Sequence, residues 1–209
     1  MTKSVIFDVG RVLLDWDVYL LYRKLLPNDE AIAEFMDEAD LLRHNLEFDR
    51  GTPIDKGIAA LVEEFPHRRE LLEAFDKRWD ETVPGAIEGS VEILSELKHE
   101  EVPLYAITNF ARETWQRTTN RFEFLTSSFI DIVVSGHEGM IKPDAQIYKL
   151  LLHRNQLRAE NCVFIDDSEK NVIGARAVGI DAIQFFSPAQ LRQELLARDL
   201  PIQPIGNLV

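Results

Sequence analysis

The chain has 209 residues, 45% hydrophobic and 28% charged, enough for one sizeable globular domain or a core domain with a smaller companion. Its 36 acidic residues against 23 lysines and arginines leave a net charge of −13. Such a surface repels phosphate backbones and anionic lipid, so neither nucleic acid nor a membrane surface is expected as a partner.

The first predicted element is a strand. Val5 to Phe7 is a short apolar run ended by Asp8 and Gly10, the pattern of a strand buried on both faces. Asp8 then stands at the carboxyl end of a parallel-sheet strand, where open α/β folds bind their ligands. Alone, Phe7-Asp8-Val9-Gly10 reads as well as a turn. After Leu14 the pattern becomes helical: residues 17–26 and 29–46 carry apolar side chains at helical spacing, with acids near their starts. Thr52 reads as an N-cap with Pro53 at the first helical position. Ile58, Leu61, Val62 and Phe65 form one face of that helix, and Pro66 stops it. Leu71, Leu72, Phe75 and Trp79 make the next stripe. No strand pattern occurs between Asp15 and Val83, so residues 15–84 are expected to be an all-helical insertion, with Trp16 and Trp79 as packing within it or at its hinge.

From Pro84 helices and strands alternate. Helices are predicted at residues 87–98, 111–122, 144–155, 168–178 and from 187 to 198, the last capped by Ser187-Pro188. Strands are predicted at residues 103–107, 129–134, 162–165 and 181–185. Alternation of this kind gives a mostly parallel sheet. The expected architecture is α/β: a Rossmann-like parallel core from residues 1–14 and 85–209, with a helical domain of residues 15–84 inserted after strand one. The single cysteine, Cys162, excludes an internal disulfide and reads as packing in its apolar strand. There is no signal-peptide pattern and no apolar run long enough to span a bilayer, so a soluble cytoplasmic protein, monomer or homodimer, is expected.

Three predicted strands end in polar groups: Asp8, Thr108-Asn109 and Asp166-Asp167. In a doubly wound sheet those ends share one edge. Lys142 stands just ahead of a helix between the second and third. A carboxylate, a hydroxyl, a lysine and an acidic pair form an inventory for phosphoryl transfer without a nucleotide loop. Neighbouring carboxylates repel unless a cation lies between them, and oxygen donors suit Mg²⁺. Lysine supplies a point charge for phosphate.

On these residues the chain resembles the haloacid-dehalogenase-like hydrolase superfamily. Phe7-Asp8-Val9-Gly10-Arg11-Val12-Leu13 looks like its first motif and Ile107-Thr108-Asn109 like its second. Ile141-Lys142-Pro143-Asp144 with Ile147-Tyr148 looks like the third, and Val163-Phe164-Ile165-Asp166-Asp167-Ser168 with Asn171, Gly174 and Ala175 like the fourth. The resemblance implies a three-layer core with a helical cap and a phosphatase acting on a small phosphorylated metabolite. Asp8 would be the nucleophile that forms an aspartyl-phosphate. Mg²⁺ would be held by Asp8, the Gly10 carbonyl and Asp167, with Asp166 reaching it directly or through water. Thr108 and the Asn109 backbone would bind phosphoryl oxygens, Lys142 would neutralise charge on Asp8 and substrate, and Asn171 would orient the network.

One position departs from the family pattern. Most phosphatases of this superfamily carry a second aspartate two residues after the nucleophile, as general acid and base; here that residue is Gly10. Such a group contributes about 10²–10⁴-fold. Asp15 and Asp17 are near in sequence but read as turn and helix-cap residues. The variant resembles a subgroup that includes an α-glucose-1-phosphate phosphatase, which points to sugar phosphates. In the cap, Arg43, His44 and Arg50 are candidates to meet the substrate, with Arg112 after the second motif. Two other functions stand beside the phosphatase: a metal-free 2-haloacid dehalogenase, disfavoured by the Asp166-Asp167 pair, and a catalytically weak binding protein on the same fold.

Overall fold

The computed structural model describes residues 3–204. Five strands, β1 (Ser4–Phe7), β2 (Leu104–Thr108), β3 (Asp131–Val134), β4 (Cys162–Asp166) and β5 (Asp181–Gln184), pair in parallel in the order β3-β2-β1-β4-β5. All five fall where the apolar runs predict them. The apolar strands β1, β2 and β4 are buried along their whole length, because helices cover both faces of the sheet.

The helices, in chain order, are α1 (Tyr19–Tyr22), α2 (Asp29–Glu38), α3 (Leu41–Asp49), α4 (Ile54–Glu64), α5 (Arg69–Lys77), α6 (Glu88–His99), α7 (Arg112–Arg121), α8 (Phe124–Ser127), α9 (Ser135–Glu138), α10 (Ala145–Arg154), α11 (Glu169–Ala177) and α12 (Pro188–Leu196). Successive β1 side chains point to opposite faces. Val5 and Phe7 join Ile93, Leu94 and Leu97 of α6 and Leu191 and Leu195 of α12. Ile6 joins Ile147, Tyr148 and Leu151 of α10 and Val172 and Ala175 of α11. The three-layer core follows from that alternation.

Between β1 and β2 the chain is helical, as expected, but three local details differ. Residues 17–26 form a single helical turn, α1, followed by three-residue turns such as Lys24 N–H to Leu21 O; Pro27 disfavours helical geometry in the residue before it. The stretch 29–46 is two helices, broken at Asp40, which takes the left-handed conformation that aspartate tolerates. Pro53 itself, with ψ 129°, is the N-cap of α4, and the Gly57 N–H donates to its carbonyl, so helical dihedrals begin one residue later than the Thr52-Pro53 pattern predicts. The Ser187 cap of α12 is as read: its hydroxyl accepts from the Gln190 N–H, with Pro188 in the first turn.

The inserted helices do not stand apart from the sheet. Tyr22, Ile32, Phe35, Leu61, Leu72, Phe75 and Trp79 form one apolar cluster that runs without a break into Val9, Ala106, Phe110 and Val134 at the carboxyl edge of the strands. Among the described residues no helix is long and apolar enough to cross a membrane.

Candidate active site

β1 and β4 are neighbours in register, Phe7 opposite Ile165, and the Asp8 N–H donates to the Ile165 carbonyl. The next residue of each strand therefore brings Asp8 and Asp166 side by side at the sheet's carboxyl edge. Lys142 reaches between them: its Nζ lies 2.7 Å from Asp8 Oδ1 and 2.6 Å from Asp166 Oδ2, and it is 3% exposed. Asn109, following β2, clamps the lysine's backbone, accepting from the Lys142 N–H at 2.8 Å and donating to its carbonyl at 3.1 Å. Asn171 donates to both oxygens of Asp166, which also accepts from the Ser168 N–H. Asn171 thus holds the acid that holds the lysine.

Burial pushes the Asp8 carboxyl well above the usual carboxylate range; Lys142 opposes the shift, and Asp166 and Asp167 add to it. Burial also works against the Lys142 charge, but Asp166 and Asp8 outweigh it and hold its pKa above the ordinary lysine value. Asp167 is raised by burial and by Asp166, against Arg11 and Lys142. Asp8, Asp166 and Asp167 each offer an oxygen within 4.8 Å of the others. Three carboxylates around one buried ammonium leave excess negative charge, and an all-oxygen donor set is the one a hard divalent cation takes. The residues fit such an ion.

Asp8, Gly10, Asn109, Lys142, Asp167 and Asn171 line one cleft of about 290 Å³. Thr108 and Asp166 are buried and do not form its wall; the Thr108 hydroxyl has no hydrogen-bond partner among the described residues. The remaining predicted residues lie elsewhere. Arg43 is exposed and bonds Asp40 and His44, Arg50 pairs with Glu47 and Asp144, and Arg112 reaches the Gly136 carbonyl. None of them lines the cleft. Helical register is the reason for Arg43: the wall is made by Leu42, Asn45, Leu46 and Asp49, the i, i+3, i+4, i+7 face of α3, and Arg43 is on another face. Arg50, the C-cap residue after the helix, is drawn aside by Glu47 and Asp144.

That face was missed in the sequence, although its spacing is written there. Arg11 also lines the cleft, 3.8 Å from Asp167. Trp16 and Trp79 pack as predicted, Trp79 edge-on against Phe75 and Phe110, and both also form cleft wall. Asp17, one residue ahead of Val18, the N-cap of α1, accepts the Tyr19 N–H, and neither Asp17 nor Asp15 lines the cleft.

The model of the haloacid dehalogenase-like hydrolases matches residues 5–185 of the chain. A sesquiterpene phosphatase of Aspergillus oryzae is 30% identical over 188 residues, 85% of this chain and 87% of that protein. A phosphorylated carbohydrates phosphatase of Thermotoga maritima is 27% identical over 191 residues, 87% of this chain and 83% of that one. A HAD family enzyme of Bacteroides thetaiotaomicron, solved with magnesium and inorganic phosphate, superposes with a TM-score of 0.69 at 18% identity, covering 90% of this chain and 96% of that one.

Proposed function

The chain belongs to the haloacid dehalogenase-like hydrolases, and we propose that it is a Mg²⁺-dependent phosphomonoester hydrolase of a small metabolite, with residues 15–84 as its cap. The observation that carries this reading is the single buried lysine bridging Asp8 and Asp166, with Asp167 beside them, at the sheet edge where the cleft opens. Attack on carbon by a lone aspartate gives no reason for so many carboxylates; a metal-assisted attack on phosphorus does.

Asp8 and Asp167, with the Gly10 carbonyl, would hold Mg²⁺, and Asp166 would support the site from behind through Lys142. Bound there, the ion supplies charge neutralisation for the approach of one anion to another. Asp8 is then the attacking group, and its carboxylate forms the bond to phosphorus. Lys142 faces the same carboxylate and shields its charge from the phosphoryl oxygens. The Thr108 hydroxyl, buried at the end of β2 and unpartnered among the described residues, would donate to a phosphoryl oxygen.

Beyond the carboxylate and lysine cluster the cleft is lined by Trp16, Leu42, Leu46, Trp79 and Phe110, with Arg11 and, from α3, Asn45 and Asp49 as polar groups. This favours a phosphate ester whose alcohol is largely apolar, in keeping with the Aspergillus relative. A sugar phosphate, the expectation from the sequence, has the support of the Thermotoga relative.

The test is phosphate release from a panel of isoprenyl, alkyl and sugar monophosphates, with Mg²⁺ and with EDTA. Release is expected only with Mg²⁺, restored when the ion is added back, and abolished in a folded Asp8→Asn variant. Undiminished turnover by that variant removes Asp8 as the nucleophile. No release from any ester by folded protein favours a binding role for the fold.

A further inference from the structure

We propose that Asp49 of α3 gives a proton to the leaving alcohol and takes one from the hydrolytic water, replacing the aspartate absent at Gly10; this rests on the phosphomonoesterase reading above. Asp49 lines the same cleft as Asp8, Gly10 and Lys142, and comes from the inserted helices. It is 6% exposed, and no salt bridge engages it among the described residues. Its carboxyl accepts from Asn45 Nδ2 at 3.1 Å, and the Ala111 backbone N–H, in the loop after β2, lies near enough to favour its charged form. These neutral donors fix its direction without fixing it as a carboxylate.

The other acids in and behind the cleft are committed. Asp8 is the attacking group, Asp167 belongs to the ion, and Asp166 accepts from Lys142, Asn171 and Ser168. Burial pushes the Asp49 carboxyl up to about 7, with the Ala111 N–H and Lys142 pulling the other way, so a proton can leave and return near neutral pH. At Gly10, by contrast, a Cβ would meet nothing within 4 Å. The space beside the nucleophile is empty of protein, and the acid stands in the cleft wall instead.

The proton balance closes over the two steps. In the first, an Asp8 oxygen bonds to phosphorus as the bond from phosphorus to the ester oxygen breaks. That oxygen takes the Asp49 proton and leaves as the alcohol, and Asp49 becomes a carboxylate. In the second, water attacks the phosphorus of the aspartyl-phosphate and gives a proton to Asp49. Phosphate leaves, and Asp8 is again a carboxylate and Asp49 again a carboxyl. The donor comes from the inserted helices, so the proton relay depends on their docking against the loop after β2.

The experiment follows the first turnover with two esters, p-nitrophenyl phosphate, whose leaving group needs no proton, and n-octyl phosphate, whose alkoxide does. In Asp49→Asn the burst of p-nitrophenol is expected at the wild-type rate, followed by slowed turnover. Release of octanol falls by about 10²-fold or more. Adding Gly10→Asp to Asp49→Asn puts an acid into the open space and is expected to recover octanol release. Equal slowing of both bursts makes Asp49 a docking contact to Ala111 and overturns the proposal. So does unchanged octanol release in Asp49→Asn, or a wild-type protein that cleaves only the aryl ester. A folded wild-type protein that cleaves neither ester overturns the phosphomonoesterase reading itself.

Discussion

Asp8, Lys142 and Asp166 are bound into one charge-assisted network, whereas Asp49 is buried, hydrogen-bonded to the neutral Asn45 and in no salt bridge among the described residues. The difference has a measurable consequence for Asp49. Its folded-state pKa of about 7 lies above the unfolded value, so the folded protein binds the proton more tightly than the unfolded chain. Stability from this residue is fully present below the ordinary carboxylate range and is lost as pH rises towards and through about 7. The other charged groups of the cleft, Asp8, Arg11, Lys142 and Asp167, are common to wild type and Asp49→Asn; of these Lys142 acts on the Asp49 carboxyl, pulling its pKa down, and burial outweighs it. Melting temperatures of the two proteins between pH 5 and 8 are therefore expected to diverge, the variant gaining on the wild type as pH rises. A constant difference contradicts the buried-carboxyl account. Asp8, Lys142 and the Asp166-Asp167 pair were legible in the sequence because each follows or precedes a recognisable element. Asp49 was not, since a lone acid near a helix end looks like any solvated charge until its surroundings are known.

The elements show the same division between local and non-local signals. Apolar runs located all five strands, and α6, α7, α10, α11 and α12 begin and end within a residue or two of their periodic patterns, whereas the single-turn helices α8 and α9 were not predicted. The inserted helices were harder: the left-handed turn at Asp40 re-aims α3, burying Leu41 and Phe48 and turning Leu42, Asn45, Leu46 and Asp49 to the cleft. The apolar pattern gave no sign of that break, because both halves are amphipathic. On the core side, α11 packs close against the segment that carries Lys142. A Cβ at Gly174 would lie 2.7 Å from the Pro143 carbonyl oxygen, a backbone atom that can yield only by moving the loop. Gly174→Ala is expected to lower both the melting temperature and kcat by displacing Lys142 from Asp8. A crystal structure of the variant would show that shift. An alanine accepted with wild-type kcat and stability removes this packing constraint from the account.

At the scale of the molecule, the sheet order brings β1 and β4 together and so gathers Asp8, Asp166 and Asp167 within reach of one ion. A cation binding only the folded state raises apparent stability, by about 2.7 kcal/mol at a hundred times its dissociation constant. Mg²⁺ at millimolar concentration is expected to raise the melting temperature of the wild type and to do so much less for Asp167→Asn. Equal shifts in both would separate the ion from this cluster. The amino-acid sequence by itself determined the α/β core, the run of helices after β1, the polar residues at the strand ends and the glycine two residues after Asp8, because apolar periodicity and residues at strand ends are local properties. Only the tertiary structure decided which face of α3 meets the cleft, the exclusion of Arg43 and Arg50, the apolar wall and the place of Asp49. Those depend on how the inserted helices dock on the carboxyl edge of the sheet, and docking is set by contacts between residues far apart in the chain.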